Sequence, residues 1–280
     1  MSNKLKKRIV TILCHRIPLL ILSIIIFLPF VWAFLMSIKT EQEILAIPIL
    51  YLPKSIKWMN YYTAWTKSGF SLYFKNSFVI SILSVFFITL FSLLNGFVLS
   101  RYAFKGKKAF MLLLLVSQLL PAIIFIIPLV ITFKNLGLLN TGYSVSIFYI
   151  ATQLPFNTFL MKNFIDAIPK EIDEAATIDG VRRLGIITRI IIPLTLHGIV
   201  ATSSYAFLTC WNEYLVSFAF ITSRVHFTLP IGLSSFMNES NNEIGPLAAG
   251  GMIALIPPVI FFGYLQKYLI TGLSAGAVKG

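Results

Sequence analysis

Hydrophobic positions in this chain come in long unbroken runs separated by short charged clusters, not in strand-like alternation. Arg16 and Lys39 enclose 22 uncharged residues, 17–38. Lys75 to Arg101 encloses 25, Lys108 to Lys134 another 25, and Lys134 to Lys162 encloses 27. Arg189 to Glu213 and Glu243 to Lys267 enclose 23 each. About 20 apolar residues, rising roughly 1.5 Å apiece as a helix, cross a ~30 Å hydrocarbon layer. The pattern therefore predicts an all-α integral membrane protein with six transmembrane helices. Continuous runs favour a helical bundle over a barrel, whose strands would be about ten residues long and alternating.

Composition agrees: the 280 residues are 57% hydrophobic and 12% charged, with a mean hydropathy of +0.85. A soluble domain is nearer 45–50% apolar and about 25% charged. The net charge of +13 would suggest nucleic acid in a soluble protein, but here the basic residues sit between the runs. With the N-terminus inside, 16 of the 23 Lys and Arg fall in inner segments and 7 in outer ones. That bias predicts both termini in the cytoplasm and no nucleic-acid partner. The expected divisions are a basic N-terminus (1–16), a first span (17–38) and an external loop (39–71). A core at 72–270 carries spans two to six and a cytoplasmic segment at 162–193, and a cytoplasmic tail follows at 271–280. The first run exceeds a 7–15 residue signal core and no A-x-A site follows it, so it reads as an uncleaved signal anchor.

Candidate chemistry is sparse. Cys14 and Cys210 lie at opposite ends of predicted spans, and His15, His197 and His226 lack metal-ligand spacing. No GxxxxGK[ST] or HExxH is present. The chain therefore predicts neither an enzyme nor a metal site. The predicted spans hold essentially one ionisable residue, Glu213 at the end of the fifth, too few for ion-driven secondary transport. Glu213 reads either as a carboxylate snorkelling to the outer headgroups beside Trp211 and Tyr214, or as a group facing a wet pathway or partner helix. Prolines 121, 128, 155, 257 and 258 are candidate bends or ordinary membrane-helix kinks.

The balanced segment 162–193 is the most informative. Pro169 suits the first helical position, and Glu171, Asp173 and Glu174 then lie where the helix dipole favours negative charge. Ile172, Ala175, Ala176 and Ile178 form a small apolar patch, and Asp179-Gly180 ends the helix. A second helix carrying Arg182, Arg183 and Arg189 closes at Ile190, Ile192 and Pro193. By periodicity this helix-turn-helix is equally an interfacial element on lipid headgroups or a docking element.

The order Glu174-Ala175-Ala176, three residues, Gly180, nine residues, Ile190, one residue, Ile192-Pro193 resembles the EAA loop of ABC-importer membrane subunits, which usually have Leu where Ile192 stands. Asn76-Ser77, Arg101-Tyr-Ala-Phe-Lys-Gly106, Leu136-Gly-Leu-Leu-Asn-Thr141, Leu154-Pro155-Phe156, Trp211-Asn212-Glu213 and Gln266-Lys-Tyr-Leu-Ile-Thr-Gly272 extend the likeness over nearly the whole chain. Together they resemble MalG-like carbohydrate permeases, binding-protein-dependent inner-membrane components with a MetI-like fold.

That resemblance implies a subunit forming half of a sugar pathway in a prokaryotic cell membrane, for an oligosaccharide in the first instance. It implies a MalF-like second permease, a cytoplasmic ATPase dimer that binds the ATP and Mg, and an extracytoplasmic sugar-binding protein, with no cofactor in this chain. Glu174, Ala175, Ala176, Asp179, Gly180, Ile190 and Pro193 would couple to the ATPase. Trp211, Asn212 and Glu213 would lie near the pathway or its gate. Gly276 and Lys279 would lie in a tail that reaches the ATPase. The alternatives are a permease for a non-sugar or phosphorylated solute such as glycerol phosphate, and a secondary transporter.

Overall fold

The computed structural model describes residues 16–66, 69–239 and 243–277, excepting the side chains of 236–239, 264–265 and 267–277. Among these residues the structure is helical, without a strand. The elements are α1 (Ile17–Ser37), α2 (Glu41–Ile44), α3 (Met59–Thr66), α4 (Phe70–Arg101), α5 (Lys107–Leu119) and, after a short 3₁₀ turn at Ala122–Phe125, α6 (Ile126–Asn135). Then come α7 (Gly142–Asp166), α8 (Lys170–Ile178), α9 (Arg183–Leu194), α10 (Leu196–Asn212), α11 (Leu215–Phe220), α12 (Leu229–Glu239) and α13 (Ile244–Ala277). Packing divides the chain into two units, residues 1–70 with 233–255 and residues 71–232 with 256–280.

In the first unit, α1 shows apolar side chains around its whole circumference, and none of its most apolar stretch is buried by the described chain. Such a helix needs lipid or another protein as its solvent. Beyond it lies a compact polar knot. The Asn60 amide donates to the Ser37 and Lys39 carbonyls (3.0 and 2.8 Å). Lys39 is 1% exposed, donates to the Leu50 carbonyl and sits 5.0 Å from the Trp32 ring centroid. Thr40 and Glu43 form a reciprocal capping box on α2. Glu41 accepts from the Ile244 and Gly245 amides (3.1 and 2.8 Å), satisfying donors at the start of α13.

Three described helical stretches are long and apolar enough to cross a membrane: α1, α4 and Ile244–Gly263 of α13. The remaining runs depart from single straight spans. Within the run 109–133, α5 and the segment Ala122–Asn135 meet at 91°. Leu120, preceding Pro121, is extended at ψ 123°, as the proline ring demands of its neighbour. Of the five prolines considered as bends, Pro121 alone stands at a helix break. Pro128 lies in the first turn of α6, and Pro155, Pro257 and Pro258 sit inside unbroken helices. The fourth run also contains the turn 136–141, so α7 starts at Gly142. It is long enough to span but rich in buried Ser, Thr and Asn. The Ser144 hydroxyl and the Asn157 side-chain amide fold back on carbonyls three and four residues earlier, whereas the Ser146 and Thr158 hydroxyls find no partner among the described residues. In the fifth, α9 and α10 meet at 80°.

Two motifs are staples of the second unit. The Asn76 amide donates to the Val225 and Phe227 carbonyls (2.9 and 3.0 Å), and Ser77 Oγ accepts from the Leu229 amide (2.7 Å). Asn140, at φ 63°, accepts from the Thr222 and Ser223 amides (3.0 and 2.9 Å). Its backbone N–H donates to the Phe220 carbonyl (2.8 Å).

Candidate functional site

The helix-turn-helix of 168–194 is seated on a core of its own. Leu93 and Phe97 of α4 and Met161 and Ile165 of α7 pack with Ile168, Ala176, Ile186, Ile187 and Ile191. Pro169 stands one residue earlier than expected, as the N-cap of α8, with Glu171 and Asp173 in the first turn. At the far end Gly180 has φ 78°. Its amide donates to the Thr177 carbonyl (3.1 Å) and the Val181 amide to the Ala176 carbonyl (2.9 Å). This pair of bonds is a Schellman closure, whose left-handed residue favours glycine.

The expected coupling residues divide into two groups. Ala176 is buried and Ile190 half-buried against the core, so these two hold the hairpin on the bundle. Glu174, Ala175, Asp179, Gly180 and Pro193 are exposed. Ile178 and Leu184 are 86% and 72% exposed. The sequence-based apolar patch is thus corrected: Ala176 belongs to the fold, and Leu184 joins Ile178 on the open face. Of the expected tail residues, Gly276 lies in the last turn of α13 and Lys279 lies outside the described residues.

A second feature is a cavity of about 690 Å³ lined by the α5–α6 break, α7, α10 and the start of α11. Its walls include Phe125, Leu129 and Val216, with polar groups from Ser117, Gln118, Gln153, Thr209 and Glu213. The expected pathway trio is not brought together there. Trp211 is 3% exposed and packs on Phe74 and Phe207. The exposed Asn212 folds its amide onto the Leu208 carbonyl. Only Glu213 reaches the cavity.

Glu213 stands just past the end of α10, and its carboxylate is occupied by protein donors. It is extended, at the break after α10, and half-buried. Its carboxylate accepts from the Val216 and Ser217 amides (2.7 and 3.0 Å) and from Ser217 Oγ (3.2 Å). The Tyr149 hydroxyl donates to it from α7 (2.9 Å). The charge therefore caps α11 and ties it to α7. Sequence reasoning missed Tyr149 and Ser217, since a buried tyrosine 64 residues away leaves no local signal. It also missed the ion pair of Arg101 with Asp173.

Comparison with known proteins gives a concordant result. Residues 92–274 match the family model described as binding-protein-dependent transport system inner membrane component. The chain is 31% identical to the diacetylchitobiose uptake system permease protein DasC of Streptomyces coelicolor, over 90% of this chain and 91% of that one. It is 30% identical to the trehalose/maltose transport system permease protein MalG of Thermococcus litoralis, over the full length of both. A solved bacterial ABC transporter that imports the acidic polysaccharide alginate contains a chain of the same fold, with TM-score 0.82 and 22% identity over 96% of this chain and 98% of that one.

Proposed function

The chain belongs to the family of binding-protein-dependent transport system inner membrane components, and from that premise we propose that it forms half of a sugar-conducting pathway driven by a separate ATPase. The observation that carries the coupling part is the seated hairpin. Its inward face is consumed by the bundle, while Glu174, Ile178 and Leu184 are left open at the end of a Schellman-closed helix. Exposed apolar residues beside a carboxylate, on a rigid and well-packed base, suit protein docking better than passive contact with lipid headgroups. The docked partner is the ATPase dimer, which supplies the ATP and Mg chemistry. A second permease completes the pathway, and an extracytoplasmic binding protein delivers the solute.

The sugar part rests on the names of the relatives and on the cavity. Its lining contains amides and hydroxyls but no Lys or Arg, and its one carboxylate is spent on four internal donors. A phosphorylated solute would meet no cation there, whereas neutral hydroxyls find partners. The test is reconstitution of the whole importer in liposomes with its binding protein. ATP hydrolysis should rise with neutral oligosaccharides and not with glycerol phosphate. Stimulation by the phosphate ester alone would overturn the sugar assignment.

A further inference from the structure

We propose that α4 is a strut pinned at both ends, with Arg101 as the positioning residue that transmits movement of the docked hairpin to the segment 224–229 at the opposite end of the unit. This deepens the coupling reading above and rests on it.

Arg101 is the last residue of a 32-residue helix. Its side chain is 7% exposed and forms an ion pair with Asp173 of α8, itself 13% exposed. A second guanidinium nitrogen donates to the Ile168 carbonyl (3.1 Å), at the entrance to the hairpin. Beside it, Ser100 Oγ donates to Asp166 at 2.6 Å. Two adjacent residues of α4 thus hold the end of α7, the entrance of the hairpin and the first turn of α8. Apolar packing between the same elements is non-directional and tolerates sliding. A guanidinium bonded to the Ile168 carbonyl and paired in charge with Asp173 fixes register in a way apolar packing does not.

The other end of α4 is pinned just as specifically, by Asn76 to the carbonyls of 225 and 227 and by Ser77 to the amide of 229. From residue 76 to residue 101 a helix runs about 38 Å. Rigid elements with discrete contacts at each end are what carry coupling across such a distance. Gly96 reinforces the inner pin, since a Cβ there would stand 3.0 Å from the Lys162 amide nitrogen, so α4 and α7 cross at close range.

The experiment uses the complete importer in liposomes and measures sugar transported per ATP hydrolysed, alongside ATP-dependent hydrogen exchange at 224–229. Arg101→Asp and Asp173→Arg should each still co-purify with the ATPase and hydrolyse ATP, while the transport ratio falls at least tenfold and the exchange response at 224–229 disappears. The swapped pair should return the ratio to within threefold of the parent. Arg101→Lys, which keeps the charge but loses the fork, should fall between parent and Arg101→Asp and guards against a misfolded reversal variant. A parental ratio in the single variants, a swapped pair no better than either alone, or a persisting exchange response would overturn the strut. Gly180→Val, which strains the docking turn without touching Arg101, separates the two readings. If it breaks ATPase association while Arg101 variants stay fully coupled, docking stands and the strut falls. If Gly180→Val leaves ATPase association intact, the docking reading itself fails.

Discussion

Two carboxylates in this chain show how one acidic side chain can organise a loop. Glu43 is pulled below the ordinary carboxylate value of 4.5, first by the Thr40 amide, against the opposing effect of burial, and further by the Lys54 and Ser55 amides. A carboxylate whose folded value is depressed stabilises its loop fully above its ordinary value, and that stability is lost as pH falls through the folded one. Exchange protection of the Lys54 and Ser55 amides, corrected for intrinsic rates, should therefore be constant above about pH 5 and fall at lower pH. Glu43→Gln should flatten the profile. Glu213 does for α11 what Glu43 does for the loop 40–55. Glu213→Gln keeps one acceptor oxygen and loses the charge, so it should cost about 1–2 kcal/mol, and Glu213→Ala more, because it leaves buried donors empty. Thermal melting of the purified protein checks the order. Equal losses for the two variants would mean that the cap contributes little. The sequence made Glu213 conspicuous but left its setting open between headgroups and a pathway or partner helix, because its role depends on a helix break two residues wide and on a tyrosine from another helix.

At the scale of elements, each uncharged run falls on at least one long helix, though ends differ by up to 11 residues, as where α13 continues to Ala277 past a run ending at 266; in lipid a backbone has to satisfy its own hydrogen bonds over the full thickness. The breaks were not legible in the same way. Pro121 and Pro128 look equivalent in sequence, yet one ends a helix and the other rests harmlessly in a first turn, where no amide is missed. The hairpin was legible because its signals are local: proline at the start, acids in the first turn, Asp-Gly at the end. Its seat was not, because it is built from α4 and α7 residues far away in the chain. Close crossing of those helices predicts an asymmetry between glycines. Gly96→Ala should cost about 1–3 kcal/mol by forcing the helices apart. Gly251→Ala, where a Cβ meets nothing within 4 Å, should be neutral or gain up to about 1 kcal/mol from helix propensity. Denaturation midpoints of the two variants in the same detergent measure the difference.

For the whole molecule, the orientation in the membrane is the property on which docking from one side and delivery from the other depend. The bias of basic residues predicts both termini and the segment 162–193, which holds the hairpin, inside, and the loop 39–71 outside. Two cations are buried among protein partners, Lys39 of the outer set and Arg101 of the inner set, so the contrast among the remaining charges is 15 against 6. Single cysteines in a background lacking Cys14 and Cys210 test it directly. Lys54 and Glu174 are both exposed, so reactivity at either reports the side of the membrane and not burial. A membrane-impermeant maleimide should label position 54 in intact cells, and position 174 only after permeabilisation. The reverse pattern would place the hairpin outside, away from any ATP. Docking to a cytoplasmic ATPase would then fail on topology alone, whatever the hairpin's shape.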